Sequence, residues 1–342
     1  MKSRILPLLL AAFLPALASA RVLTLSNNPQ NPGQYSTFAD AQTAAVAGDT
    51  IYVHGSSISY NTINITKAIT FIGPGHNPQK QAPLKAQFDH IGIGSSGIKV
   101  IGVLVNYFYT TANSLTNVTL SRNRIDYYLY FNNTGSHNNW IIEGNVFGYL
   151  TTGANFSVGH NSFWNFYFEN NIFSGHLENN SSSSSAYNIY FNNCTFLNKS
   201  GGNAAHAVAW KNATYNNCIF YGKNPTPGST GSGNTFNNCI SYNATSNVFP
   251  GTGSGNLVNQ DPLFTTYTGN GFVYTDNYTL QAGSPAKSYG LDGTDLGVHG
   301  GTYTWNQNGL PKIPYISEFT ISNNQVSAGG SLNINFKSTI GQ

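Results

Sequence analysis

The chain has 342 residues, of which 15 are Lys or Arg and 12 are Asp or Glu, so only 8% of it is charged. An average soluble domain is about a quarter charged. Phosphate backbones are bound by clustered Lys and Arg, so this composition excludes a nucleic-acid partner. Hydrophobic residues make up 40% of the chain, which is enough to form a core and argues against disorder. Asparagine is abundant, with 46 copies.

The first residues predict a secretory signal peptide over 1–20. Lys2 and Arg4 form a short basic start, and an apolar run follows before Ala20, which ends a small-residue cleavage site. The run is too short to span a bilayer, and no later stretch is apolar enough to be a transmembrane segment. We therefore expect bacterial export, with the mature protein secreted, extracellular or held at the cell surface.

Residues 35–49 predict a short N-terminal cap helix. One helical face would carry four apolar residues, Phe38, Ala41, Ala44 and Ala45. Gly48 and Asp49 would end this helix before a strand. A helix in this place can cover the open end of a stack of strands, which otherwise exposes unpaired backbone groups.

A nine-residue pattern recurs through the middle of the chain. Clear copies read N-I-Y-F-N-N-C-T-F from Asn188 and N-A-T-Y-N-N-C-I-F from Asn212. The copies begin at Gly97, Asn117, Asn139, Asn165, Asn188, Asn212 and Gly233. These starts are 20, 22, 26, 23, 24 and 21 residues apart. Short strands at this period cannot bury their apolar sides alone, so the pattern predicts a solenoid of stacked coils.

The seventh position of the pattern predicts an internal ladder of side chains. It is occupied in successive copies by Asn123, Asn145, Asn171, Cys194, Cys218 and Cys239. Stacked coils place equivalent side chains about 4.8 Å apart, so each Asn can bond to the Asn above and below it. The three cysteines are predicted to continue the column as small buried residues, because thiols in one linear stack do not form a tetrahedral zinc site.

The repeat resembles the right-handed parallel β-helix superfamily, which includes secreted bacterial pectate-lyase-like and chondroitinase-B-like proteins. The resemblance covers about residues 35–305, within which the stretch 261–301 is similar to the closing segment of such proteins. It implies an all-β fold, a single-stranded right-handed parallel β-helix over 21–305. If coils run from Thr50 to Leu280, about ten coils of 20–26 residues are expected.

The last residues, 306–342, predict a linker followed by a short β-hairpin. Apolar residues alternate on either side of the Gly329-Gly330 turn, which is typical of a hairpin. The hairpin either packs on the rod or pairs with a neighbouring subunit or a surface. Self-association through residues 312–342 follows from the second alternative.

Charged residues concentrate on three consecutive copies of the repeat. The candidate catalytic residues are Arg122, Arg124, Asp126, Glu143 and Glu169. Glu143 and Glu169 share the fifth position of successive copies, so they are expected to lie one above the other. Enzymes of the superfamily mostly act on polysaccharides, the lyases with calcium and the hydrolases with paired carboxylates. The resemblance therefore implies Ca²⁺ only if the protein is a lyase, and it implies no other cofactor. The alternative for the five charged residues is that they lie in an exposed turn and form weak ion pairs.

Aromatic residues near the charged copies suggest a sugar-binding surface. The candidate binding residues are Tyr127, Tyr130, Trp140, His160, Trp164, Trp210 and Lys211. Tyr and Trp rings stack on sugar faces while polar side chains bond the hydroxyls, which suits a neutral glycan. The alternative is that most of these rings fill the rod or cover its flank.

Three functions remain open from the sequence. The favoured one is a secreted or surface rod that binds or adheres to polysaccharide. The first alternative is a polysaccharide-degrading enzyme, either a lyase or a glycoside hydrolase. The second is a self-assembling surface protein that uses its C-terminal hairpin.

Overall fold

The structure is a computed structural model that describes residues 20–78, 84–131, 135–150, 156–157, 162–175, 186–199, 211–225, 232–323 and 325–340. The predicted signal peptide lies outside these residues, apart from Ala20.

One short helix and 24 strands make up the described structure. In chain order they are β1 Val22–Leu25, α1 Phe38–Ala44, β2 Thr50–Val53, β3 Thr62–Ile65, β4 Thr70–Ile72, β5 Gln87–Ile93, β6 Lys99–Ile101, β7 Leu104–Thr110, β8 Thr116–Ser121, β9 Arg124–Tyr130, β10 Ser136–Glu143, β11 Val146–Phe147, β12 Phe156–Ser157, β13 Ser162–Glu169, β14 Ile172–Phe173, β15 Ala186–Asn192, β16 Thr195–Leu197, β17 Ala213–Asn216, β18 Ile219–Tyr221, β19 Thr235–Asn237, β20 Ile240–Tyr242, β21 Phe264–Thr266, β22 Asn277–Leu280, β23 Pro314–Ile321 and β24 Ile334–Ile340.

The chain alternates between two parallel sheets. The first sheet has the strand order β1-β2-β4-β6-β8-β10-β13-β15-β17-β19, and the second has β3-β5-β7-β9-β11-β14-β16-β18-β20, with β12 beside β9. Each turn of chain adds one strand to each sheet, and each strand lies parallel to its equivalent in the next turn. The predicted all-β parallel β-helix is therefore confirmed.

The solenoid has about six regular turns rather than ten. From β6 to β19, register partners on successive strands of the first sheet are 20–26 residues apart. Before β6 the separations are less even, at 28, 20 and 29 residues. The prediction that coils continue to Leu280 is wrong, because β22 pairs antiparallel with β21 outside the two sheets. Residues 261–313, which we call the return segment, instead run back along the outside of the rod.

The N-terminal cap is present but shorter than the predicted 35–49 segment. Helix α1 begins after Thr37, whose side chain accepts a hydrogen bond from the Asp40 N–H, and it ends where Ala45 becomes extended. The ring of Phe38 packs edge-on against Phe71, with centroids 5.7 Å apart. Together with buried Ala41, these contacts close the first end of the core.

Two columns of apolar side chains fill the rod. The fourth position of the repeat forms one column, in which Phe168, Phe191 and Tyr215 stack with centroids 4.3 and 4.7 Å apart. The ninth position forms the other, in which Phe196 and Phe220 stack at 4.5 Å. These distances follow from the spacing of parallel strands, which sets equivalent side chains in direct contact.

The internal ladder is a continuous row of hydrogen bonds. Asn145 Nδ2 donates to Leu120 O at 2.8 Å, while its Oδ1 accepts from the N–H of Asn123 at 2.9 Å. Asn123 and Asn171 make equivalent bonds in neighbouring turns. The thiols of Cys194, Cys218 and Cys239 donate to the corresponding carbonyls at 3.2–3.4 Å, and all three cysteines are free and buried.

The ladder has a further member after the last cysteine. Asn256 Nδ2 donates to Phe236 O at 2.9 Å, and its Oδ1 accepts from the Cys239 N–H at 2.9 Å. Asn256 therefore satisfies the backbone at the C-terminal end of the row, where no regular turn follows.

The return segment covers the outer face of the second sheet. Five outward residues of that sheet join its core: Val146, Ile172, Leu197, Ile219 and Ile240. They pack against buried apolar residues of the return segment, among them Phe264, Phe272 and Leu296. Residues 306–313, predicted as a linker, also lie against the rod, because Asn77 N donates to Asn308 O at 3.0 Å.

Asparagines in left-handed conformation attach the return segment to the rod. They occupy the sixth position of the repeat, with φ between 48° and 56°, at Asn170, Asn193, Asn217 and Asn238. Asn170 Nδ2 donates to Val298 O and Gly300 O, and Asn238 Nδ2 donates to Tyr289 O. Asn is among the few residues that adopt this conformation readily, so one residue type both makes the turn and holds the segment.

The last two strands form the predicted hairpin. Strands β23 and β24 pair antiparallel, with a register shift between Ile316 and Glu318. Among the described residues, no helix is long and apolar enough to cross a membrane.

We predict that Asn145→Ala lowers the free energy of unfolding by about 2–4 kcal/mol, because it leaves buried Leu120 O and the Asn123 N–H without partners. Chemical denaturation monitored by circular dichroism measures this. The matched control is Asn216→Ala, which removes a half-buried side chain that bonds to other asparagine side chains outside the core, and for which we expect a loss of at most about 1 kcal/mol. Equal losses for the two variants would contradict the role assigned to the ladder.

Candidate functional site

A row of polar side chains follows the edge of the first sheet. It consists of Ser121, Glu143, Glu169, Asn192, Asn216 and Asn237, which are register partners on consecutive strands. We call it the carboxylate row. Its Asn side chains are bonded in sequence, since Asn216 Nδ2 donates to Asn192 Oδ1 and Asn237 Nδ2 donates to Asn216 Oδ1, both at 3.0 Å.

The two glutamates of this row lie side by side, as their shared repeat position predicts. Glu143 and Glu169 are register partners on the adjacent parallel strands β10 and β13. Burial raises the pKa of Glu143, and the neighbouring Glu169 carboxylate raises it further. The hydroxyl of Ser121, which donates to Glu143 Oε1 at 3.0 Å, acts in the opposite direction.

A polar groove of about 250 Å³ lies between the carboxylate row and the return segment. On the rod side it is lined by Glu169 and by asparagines of the fifth and sixth repeat positions. On the other side it is lined by Asp292, Thr302 and Tyr303. The groove offers carboxylate, amide and hydroxyl groups, which can bond to a polyhydroxylated ligand.

Arg122, a candidate catalytic residue, is buried under the return segment. Its guanidinium donates to Tyr303 Oη at 3.0 Å, to Thr304 O at 2.7 Å and to Leu310 O. Its backbone has φ of 56°, so it occupies the sixth repeat position, like the asparagines that hold the return segment in later turns. In the structure, Arg122 therefore attaches the return segment to the rod.

Arg124 and Asp126 form a separate pair on the second sheet. Arg124 Nε and Nη2 donate to the two Asp126 carboxylate oxygens at 2.8 and 3.1 Å, and both side chains are almost completely buried. The Arg124 guanidinium also lies 4.0 Å from the Tyr149 ring centroid. The five candidate catalytic residues thus divide between the edge of the first sheet and the second sheet, and do not converge in one groove.

Other titratable groups surround this buried pair. The hydroxyl of Tyr274 lies 2.8 Å from His76 Nδ1 and 3.3 Å from Arg124 Nη1. Burial lowers the pKa of His76 far below its usual value, and the positive charge of Arg124 lowers it further. Burial also lowers the pKa of Lys199, whose ammonium donates to Tyr149 O. We interpret this cluster as an internal contact between the rod and the return segment.

The candidate binding residues occupy three kinds of place. Trp140 is fully buried, with its Nε1 donating to Leu115 O at 3.2 Å, so it cannot bind a ligand at the surface. Trp164 and Lys211 are half-buried, on the first sheet and in the turn before β17 respectively. His160 and Trp210 lie outside the described residues. Tyr127 and Tyr130 belong to an aromatic surface on the second sheet.

That surface contains a cleft of about 400 Å³, which we call the tyrosine cleft. It is lined by His90, Tyr107, Tyr109, Tyr128 and Tyr130. His90, Tyr107 and Tyr128 form one row across β5, β7 and β9, because they are register partners. Tyr109 and Tyr130 belong to a neighbouring row, which they share with Asn64 and Gly92.

Ring contacts hold the cleft in shape. The ring of Tyr107 meets those of His90 and Tyr128 edge-on, with centroids 4.8 and 4.6 Å away. Outside the lining residues, Tyr127 stacks on Tyr107 at 4.8 Å, with 12° between the ring planes. Such contacts limit the freedom of the rings before any ligand binds.

Gly92 leaves space beside Tyr109, one of the residues that line the cleft. A Cβ at this position would lie 3.1 Å from the Tyr109 ring and 2.7 Å from Asn64 Oδ1. The same Asn64 oxygen accepts a hydrogen bond from Thr111 Oγ1 at 3.0 Å. The missing side chain therefore lets an aromatic ring and a polar pair approach one another.

His90, Tyr107 and Tyr109 line the cleft and were not among the aromatic residues that the sequence pointed to. The signal that could have found them is a Tyr-x-Tyr pair at Tyr107 and Tyr109 that recurs at Tyr128 and Tyr130, one coil later. Outward rings at the same position of adjacent coils form a contiguous surface. Among the described residues, no group of three or more His, Cys, Asp or Glu side chains is arranged to hold a metal ion.

Comparison with solved structures finds a protein of similar fold. The structure is similar to the crystal structure of pectate lyase Pel9A, with 13% sequence identity and a TM-score of 0.43, covering 85% of this chain and 98% of that one. No protein-family model and no curated protein sequence matches the chain. The likeness concerns the fold alone.

We predict that Glu169→Gln lowers the pKa of Glu143 toward its ordinary value without reaching it, since burial remains when the neighbouring charge is removed. Carbon-detected NMR titration measures this directly, because the chain has only four glutamates. A raised folded-state pKa costs stability above that pKa and not below the unfolded value, so Glu143→Gln should stabilise the fold at neutral pH and not at pH ~3. An unchanged Glu143 titration in the Glu169→Gln protein would show that the two carboxyls do not interact.

Proposed function

We propose that the protein binds a neutral polysaccharide and that the tyrosine cleft is the binding site. The observation that carries this proposal is the set of five aromatic side chains around one open cleft of about 400 Å³. Four of them are tyrosines, which combine a flat apolar ring with a hydroxyl group. A sugar ring presents the complementary combination of C–H faces and equatorial hydroxyls.

The charge of the cleft supports a neutral ligand over an acidic one. None of its five described lining residues is Lys, Arg, Asp or Glu. A uronate or sulfate group would lose its hydration on entering the cleft, and these side chains provide no fixed cation to compensate for that loss.

The proposed location follows from the proposed ligand and from the predicted signal peptide. Polysaccharides of walls and matrices lie outside the cell, and residues 1–20 have the composition of an export signal. We therefore propose that the mature protein acts outside the cell or at its surface.

We predict that Tyr107→Ala weakens binding of a neutral oligosaccharide by about 10- to 100-fold, because it removes the ring that contacts both His90 and Tyr128. Isothermal titration calorimetry with cello-, xylo- and manno-oligosaccharides provides the measurement. Oligogalacturonides serve as the acidic comparison and should bind more weakly.

The matched control is Tyr167→Ala, which removes a half-buried tyrosine from the outer face of the first sheet. Its affinity should stay within about twofold of the unchanged protein. Binding that survives Tyr107→Ala but fails in Tyr167→Ala would place the site on the other sheet and refute the assignment.

A specific observation favours glycoside hydrolysis as a second candidate function. Glu143 and Glu169 are adjacent at the edge of the first sheet, and burial raises the pKa of Glu143, which suits a proton donor beside a second carboxyl group. In this alternative, Glu143 gives its proton to the glycosidic oxygen as the bond breaks. The Glu169 carboxylate attacks the anomeric carbon, and water later releases the sugar while Glu143 takes back a proton.

We predict for this alternative that reducing ends appear when the protein is incubated with a panel of neutral polysaccharides, and that Glu143→Gln lowers the rate at least ~100-fold. The control is Glu318→Gln on the hairpin, which should leave the rate unchanged. Absence of new reducing ends across the panel, combined with retained binding, would reject hydrolysis and leave the binding function standing. New unsaturated ends would indicate a lyase instead.

A further inference from the structure

The C-terminal hairpin has two chemically different faces. The register pairs Phe319 with Phe336 and Ile321 with Ile334, so these four side chains share one face. Ile316 and Ile340 lie on the same face beyond the register shift. We call this set of six residues the apolar hairpin face.

The opposite face of the hairpin is polar. It carries the register pairs Glu318 with Lys337, Thr320 with Asn335 and Tyr315 with Thr339. A sheet with this division normally has its apolar side covered by a second layer of structure.

The apolar hairpin face is exposed in the described structure. Its six side chains are between 47% and 67% exposed, with Phe336 at the upper limit. Of the 18 large hydrophobic residues that are exposed in the described part of the chain, eight lie between Ile316 and Ile340. The others are distributed along the rod. Such a concentration marks an interaction surface.

The area of this face is sufficient for a dimer. Six half-exposed Ile and Phe side chains offer roughly 100 Å² each, or about 600 Å² per hairpin. Two such faces bury roughly 1,200 Å² in total, which is the lower limit for stable specific interfaces. A two-stranded hairpin is marginally stable by itself, so it gains most from a partner that provides a second layer.

The chemistry of the face suits a second copy of itself. All six residues are uncharged, so two faces meet without burying an ion. Phe319 lies opposite Phe336 and Ile321 opposite Ile334, while Ile316 and Ile340 lie opposite the uncharged Ser338 and Pro314. We propose that two copies of this chain associate through the apolar hairpin face, forming a two-layered, four-stranded sandwich with layers about 10 Å apart. The interface is isologous, and the two rods extend from it.

The proposal predicts a dimer that depends on one face of the hairpin. Sedimentation equilibrium of the full chain should give twice the mass of the monomer. Combined Phe319→Ser and Phe336→Ser substitutions should raise the dissociation constant at least tenfold, because they remove the central pair of the interface. The matched control combines Thr320→Ser and Asn335→Ser on the polar face and should remain dimeric.

A second measurement is independent of the stability of these variants. Phe336→Cys places a thiol on the proposed interface, and mild oxidation should yield a disulfide-linked dimer, whereas Lys337→Cys on the polar face should not. A full chain that stays monomeric at every concentration would overturn the proposal. So would a monomeric chain that co-floats with phosphatidylcholine vesicles, because that result would identify lipid as the occupant. Oligosaccharide binding by the Phe319→Ser and Phe336→Ser protein tests the cleft separately, so the two proposals can fail independently.

Discussion

The structure depends on the turn between its two sheets, where backbone groups are buried and have to be satisfied in every coil. The seventh residue of the repeat solves this by donating to a carbonyl of the preceding coil, as Asn145 does with Leu120 O. A buried unpaired amide or carbonyl costs about 1–3 kcal/mol. A shift of the strand register by one residue would break the ladder hydrogen bond in each coil and would incur this cost each time. The turn therefore fixes the register of both sheets, and the apolar columns follow from that register.

The same turn determines where chemistry can occur. Its sixth residue is in left-handed conformation and directs its side chain to the return segment, which Arg122 contacts in one coil and Asn170 in a later one. Its fifth residue lies on the carboxylate row, where Glu143 and Glu169 are adjacent and Glu169 lines the polar groove. Three consecutive positions thus serve the surface, the return segment and the core, which is why charged residues so close in sequence have such different surroundings.

Much of the fold could be predicted from the sequence because the repeat is a local pattern with a direct physical meaning. The alternation around Phe191 and the recurring position of Cys194 were enough to indicate stacked coils and an internal ladder. The return segment was harder, because its contacts join residues far apart in the chain, such as Asn170 and Val298. Arg122 looked like a surface charge for the same reason, since nothing near it in sequence shows that a distant segment buries it. The tyrosine cleft was only partly anticipated, because Tyr107 follows the copy that begins at Gly97, and this copy matches the repeat pattern less well than the later ones.

The coils of the rod differ in length, and the place where they differ determines which insertions and deletions the fold can accept. From β6 onward, successive coils differ in length by several residues, yet each keeps the same short path from the strand of the first sheet through the turn to the strand of the second. The differences lie between a second-sheet strand and the next first-sheet strand, as between Phe173 and Ala186 or between Leu197 and Ala213. Residues can be inserted or deleted there without altering any ladder bond. The rod therefore behaves as a set of interchangeable units, in which whole coils can be duplicated and single loops replaced while the interior remains the same.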